Sequence, residues 1–154
     1  MLLSERSDTM YKKVLVPLDG SERAESILPH VLTLAENHRA KIIFLSVLET
    51  PHTIVAADGI YVPNETIVAE HHHAMEEYLK KQQAKFKELG FDTDIRVVYG
   101  RVIDEICNVA TEEDVDLVAL ASHGRTGLAQ VFYGSVAAGI LHRIDRPLLI
   151  IRAK

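Results

Sequence analysis

No tryptophan occurs among the 154 residues, and cysteine occurs once, as Cys107. A lone thiol cannot close an internal disulfide, so a cross-linked scaffold is excluded and the fold must rest on its core. Apolar runs stay short of the roughly 20 residues that a membrane-spanning helix requires. The opening segment MLLSERSDTM is too short and too charged to read as a signal peptide. A basic excess is absent as well: 22 acidic residues outnumber 17 lysines and arginines, for a formal net charge of −5. Displacing counterions from nucleic acid needs a basic face, and the charges here are scattered. The expectation is a cytoplasmic protein with neither a nucleic-acid nor a membrane partner.

What is present suits an ordinary globular chain, with 47% hydrophobic and 25% charged residues and a length that fills one core. We read residues 1–10 as a flexible N-terminal extension and residues 11–154 as a single domain. Residues 13–18, KVLVPL, predict a buried strand, and residues 40–49, AKIIFLSVLE, a second one. Between them, residues 21–38 predict a helix capped by Ser21, with Glu22 and Glu25 in its first turn and a kink at Pro29. Residues 50–64 contain Pro51, Gly59 and Pro63 and predict a long excursion over the sheet edge rather than a linker between domains. The spacing of Met75, Tyr78, Leu79 and Phe86 predicts a long helix over residues 65–89, stopped by Gly90.

Strands at residues 93–100, 115–121 and 146–152 and helices at 101–114 and 135–144 complete the pattern. Five strands alternating with four helices predict an α/β fold, a three-layer, doubly wound five-stranded parallel sheet. With right-handed crossovers, strand order 3-2-1-4-5 sets strand 1 beside strand 4, so the loops after Leu18 and after Ala121 flank one crevice. Ligands of such sheets bind beyond the carboxyl ends of the strands at that reversal.

The segment ASHGRTGLAQVFYGS, residues 121–135, occupies one side of this crevice. Gly124 and Gly127 permit close backbone approach, and Gly134 and Ser135 stand where the next helix begins and its amides are free. Such amides bind phosphate without a lysine, the Ser135 hydroxyl adds a donor, and His123 and Arg125 add positive charge. Neither a GxxxxGK loop nor GxGxxG is present, and YGSVAAG lacks the GxSxG spacing of a nucleophile elbow.

These residues carry a family resemblance. KVLVPLDGSERAE near the start, ASHGRTGLAQVFYGSVAAGIL later and RPLLIIR at the end resemble the universal stress protein family, from Tyr11 onward. ATP-binding members share a motif of Gly, two residues, Gly, nine residues, then Gly with Ser or Thr; Gly124, Gly134 and Ser135 match it, and Ala121 stands at its first glycine. An alanine fits there provided that the backbone φ is negative. The resemblance implies an adenine nucleotide alpha-hydrolase-like fold and ATP as ligand, alone or with Mg²⁺. It places Asp19 on the nucleoside, Pro17, Val47 and Leu120 around the adenine, and Gly124, Gly134, Ser135 and Val136 on the phosphates; Leu18, Ala121, His123, Arg125 and Gly127 complete the candidate site.

The leading expectation is a stress-response switch: ATP orders residues 122–133 and changes the surface offered to an unknown protein partner. The alternatives are a slow ATP-hydrolysing or phosphotransfer enzyme using His123 or Arg125 with Mg²⁺, and a nucleotide-free protein that acts through protein contacts. No base or arginine finger is evident near the phosphates, so no catalytic residue is assigned. The apolar last strand, from Pro147 through Arg152, lies at a sheet edge and predicts a two-fold homodimer, as does the resemblance. Bland readings suffice elsewhere. Consecutive His71, His72 and His73 point about 100° apart on a helix, Cys107 belongs to an apolar stripe, and adjacency does not make Ser122 and His123 a catalytic pair.

Overall fold

A computed structural model describes residues 10–49, 54–56, 59–61, 65–123 and 134–153. Five strands form one parallel sheet: β1 (Lys13–Pro17), β2 (Lys41–Leu48), β5 (Thr93–Tyr99), β6 (Leu117–His123) and β7 (Leu148–Ala153), in the order β5-β2-β1-β6-β7. Renumbered along the main sheet, this is the expected order 3-2-1-4-5. The helices α1 (Glu22–Glu25), α2 (Leu28–His38), α3 (Glu65–Glu88), α4 (Val102–Glu112) and α5 (Ser135–Leu141) connect the strands.

The sheet's layering follows from the pleat. Successive side chains of a strand point to opposite faces, so a strand covered on both faces must be apolar throughout. Val14, Val16, Ile42 and Phe44 pack with Ile27, Val31, Ala35, Leu79 and Phe86 of the α1–α2 turn, α2 and α3. Their neighbours Leu15, Ile43 and Leu45 face the other way, onto Ile106, Val109 and Ala110 of α4 and Ala137 and Ile140 of α5. The apolar runs of β1 and β2 therefore supply two cores at once.

Two readings of the sequence need correction. The segment 21–38 is two helices rather than one kinked helix, which makes five helices among the described residues instead of four. Pro29 sits in the first turn of α2, where its missing N–H costs no hydrogen bond. The excursion 50–64 carries two short strands beyond the five expected: β3 (Ile54–Ala56) and β4 (Gly59–Tyr61) pair antiparallel, Val55 opposite Ile60. Three-residue strands are too short to announce themselves by period.

Helix ends follow the expected chemistry. Ser21 Oγ accepts from Ala24 N–H at 3.1 Å and caps α1. Gly90 ends α3 at φ +89°; its N–H donates to Lys87 O and that of Phe91 to Phe86 O, while the Phe86 and Phe91 rings sit 6.2 Å apart. This is the paired hydrogen bond and apolar clasp of a left-handed C-cap. At the amino ends of the central strands, Asp116 Oδ2 accepts from Lys12 and Lys13 N–H, both at 2.8 Å, and Arg146 Nη1 donates to Val115 O. One end of the sheet is thus tied by side chains.

Candidate functional site

The strand order reverses between β1 and β6: β1 leads away to β2, and β6 leads in the opposite direction to β7. Their ladder comprises Val14↔Leu117 and Leu15↔Val118, whereas β1 pairs with β2 over five residues and β6 with β7 over six. Beyond Leu15 and Val118, the two central strands therefore run without a ladder between them. A crevice at the carboxyl end of a doubly wound sheet opens at such a point.

On the β1 side, Leu18 is buried and its N–H donates to Leu45 O at 2.8 Å, which holds the chain against β2 as it leaves the sheet. Asp19 follows, exposed, and Gly20 turns the chain at φ +85°, a conformation that favours glycine. Asp19 Oδ1 accepts from Ser21 N–H at 2.9 Å and from Ser21 Oγ–H at 2.6 Å. Partial burial pushes the Asp19 carboxyl up, but the Ser21 hydrogen bonds and the nearby Arg23 charge outweigh it and hold its pKa below the usual carboxylate value. Asp19 is thus both a turn residue and an ionised group beside the crevice, with Oδ2 unpaired among the described residues.

On the β6 side, Leu120 is buried and packs in the same core as half-buried Val47, at the end of β2, and Val136, in α5. These three predicted site residues are brought onto one layer. Pro17 ends β1 and is half-buried. Ala121 pairs with Ile151 inside β6, and the non-glycine residues with positive φ among those described are Arg39 and Asp114. Alanine at 121 therefore carries no backbone strain. β6 runs two residues beyond the expected 121, so His123 is a strand residue level with Ala153. Gly134 is the N-cap of α5 and exposed Ser135 its first residue. Gly124, Arg125 and Gly127 lie outside the described residues.

The groups set aside on sequence grounds have these surroundings. Ser122 is buried and its hydroxyl donates to Ile151 O at 3.3 Å. Burial pushes the Cys107 thiol pKa up, the opposite of an activated thiolate. His72 stacks on Tyr99 at 5.7 Å and its Nδ1 lies 4.0 Å from Glu76, while His71 and His73 are exposed. Sequence reading missed a polar group beside the Asp19 loop, formed by Glu25, Tyr78 and Gln82. The i,i+4 spacing of Tyr78 and Gln82 was visible, yet nothing in it indicated Glu25.

The sequence profile of the universal stress protein family matches residues 10–152. Universal stress protein YxiE of Bacillus subtilis is 31% identical, over 93% of this chain and 100% of its own. Universal stress protein MJ0577 of Methanocaldococcus jannaschii is 28% identical over 94% of this chain and 97% of its own. The solved structure of MJ0577 superposes with a TM-score of 0.65, covering 94% of this chain and 98% of that one. Two more distant solved structures share the fold: a universal stress protein in complex with cAMP, 22% identical with a TM-score of 0.66, and one from Archaeoglobus fulgidus in complex with dAMP, 18% identical with a TM-score of 0.62. With a profile match over nearly its whole length and relatives covered end to end, the chain belongs to the universal stress protein family.

Proposed function

We propose that the chain binds ATP in the crevice between β1 and β6 and acts as a nucleotide-dependent switch in a stress response. The observation that carries this reading is the short β1–β6 ladder, which frees the carboxyl ends of both central strands at the point where the sheet order reverses. Family membership and the cAMP- and dAMP-bound proteins of the same fold support an adenine nucleotide as the ligand. The chain's own residues fit it. Asp19 offers a free carboxylate oxygen to ribose hydroxyls; Pro17, Val47 and Leu120 provide apolar surface for the base; and the alanine at 121 is unstrained. Gly124, Gly127, Gly134, Ser135 and Val136, with His123 and Arg125, would hold the phosphates through backbone amides, a hydroxyl and charge. Mg²⁺, if it accompanies ATP, would be held largely by the phosphates.

The test is nucleotide content and binding. Supernatant from heat-denatured, freshly purified protein is expected to release adenine nucleotide, and nucleotide-free protein to be titrated by ATP with Mg²⁺ more tightly than by GTP. An absence of both at millimolar ATP refutes the reading.

The second element is a homodimer through residues 147–152. β7 is an edge strand, and Leu148, Leu149, Ile150 and Ile151 along it remain only half-buried in the single chain. Leu141 of α5 is 52% exposed. An apolar edge with an unpaired backbone invites a second copy. Light scattering at micromolar concentration is expected to give twice the chain mass; a monodisperse monomer rejects the dimer. The surface altered by nucleotide would be read by a further, unidentified protein partner.

A further inference from the structure

The loop that carries Asp19 is anchored from outside the sheet. α1 holds four residues, too few to be stable as an isolated helix. Ser21 sets its first turn, and its last residue, Glu25, reaches α3: Oε1 accepts from the Tyr78 hydroxyl at 2.9 Å and from Gln82 Nε2–H at 3.1 Å. Lys85 Nζ in turn donates to Gln82 Oε1 at 3.1 Å, so the Gln82 amide is used at both ends. Gln82 is 3% exposed, and Tyr78 and Glu25 are half-buried. Leaving a hydrogen bond unmade in such surroundings is costly, which keeps the side chains in one arrangement. Burial pushes the Tyr78 hydroxyl well above its ordinary pKa, Glu25 pushes it further and the Asp19 charge adds to both, so Tyr78 stays a donor. Met75, one turn earlier on α3, faces the other end of the loop: a Cβ on Gly20 would lie 3.7 Å from its methyl group.

We infer that Tyr78 and Gln82 are positioning residues for the nucleotide site: by clasping Glu25 they fix α1 and aim the Asp19 carboxylate at the crevice. The inference rests on the ATP reading above. Ser21 holds Asp19 Oδ1 locally, but α1 has no fully buried residue and only Ala24 packs in part against the core, so the clasp on Glu25 is what ties α1 to α3. The clasp also joins the crevice to the longest helix of the fold.

Tyr78→Phe keeps the ring and removes only the donor. In nucleotide-free protein, amide hydrogen exchange at Ser21 and Ala24 is expected to quicken about three- to tenfold, with ATP affinity falling by a similar factor. Asp19→Asn keeps the side-chain shape without its charge. In that background Tyr78→Phe is expected to cost less than about twofold, because no carboxylate remains to be aimed. The same loss in both backgrounds is what mere loosening of the fold produces, and it overturns the inference. ATP binding by the unsubstituted protein with unchanged affinity in Tyr78→Phe also overturns it, and leaves the ATP reading standing. Failure of the unsubstituted protein to bind ATP removes that reading and the inference with it. Unchanged exchange at Ser21 and Ala24 refutes the clasp whatever the ligand.

Discussion

Asp19→Ala is expected to weaken ATP binding about 10- to 100-fold, the cost of losing a charge-assisted hydrogen bond in a partly enclosed site. Its effect on folding should be much smaller. The substitution removes the acceptor of Ser21 N–H and Oγ–H, but Ser21 still caps Ala24, so the loss is of the order of a weakened helix cap, about 1 kcal/mol. Calorimetric titration of ATP beside a urea unfolding curve separates the two quantities. Equal ATP affinity in Asp19→Ala and the parent would remove Asp19 from the site.

The same residue gives a pH dependence whose sign is fixed. The folded-state pKa of Asp19 is lowered, so folding favours the carboxylate. Its contribution to stability is present above the ordinary carboxylate pKa of about 4 and is lost as pH falls through the lower folded value. Asp19→Ala should therefore lose that contribution at neutral pH and flatten the acid limb of the stability curve, its gap from the parent closing as pH falls through the folded value.

Phe44→Ala should be the most damaging single substitution considered. Phe44 lies at the centre of β2 with no exposed surface, and its ring meets that of Phe86 edge-on at 5.2 Å. Removing a buried aromatic ring costs about 3–5 kcal/mol through lost transfer energy and the cavity left behind. Against a domain stability of about 5–15 kcal/mol, that is a large share. The urea midpoint should fall with the m-value unchanged, measured at one fixed protein concentration because association would shift it. A loss below about 1 kcal/mol would mean that α3 collapses onto the vacated space and that the core between β2 and α3 is looser than its packing implies.

Much of this fold was legible before any coordinates. Val14–Val16 and Ile42–Leu45 are continuous apolar runs of strand length separated by a helical segment, and only a parallel sheet covered on both faces buries such runs completely. Gly90 marked the end of α3 because few other residues accept a left-handed C-cap. Ser21 was legible as a cap for an equally local reason, its hydroxyl reaching an amide three residues away. Pro29 was misread because proline removes a hydrogen bond in a helix interior and none in a first turn, and position within the helix depends on where the chain turns after Ser26. The β3–β4 pair escaped because three residues cannot display a period.

The sequence by itself determined the α/β alternation, the two-faced core strands and the glycine-rich segment before α5, since each depends on neighbours a few residues apart. Tertiary structure decided the rest. It stopped the β1–β6 ladder at Leu15 and Val118, drew Val47, Leu120 and Val136 onto one layer, and set Tyr78 and Gln82 against Glu25 across more than fifty residues of chain. Such contacts exist only once the packing of whole elements has brought distant side chains within hydrogen-bonding reach, and no local pattern in the chain encodes them.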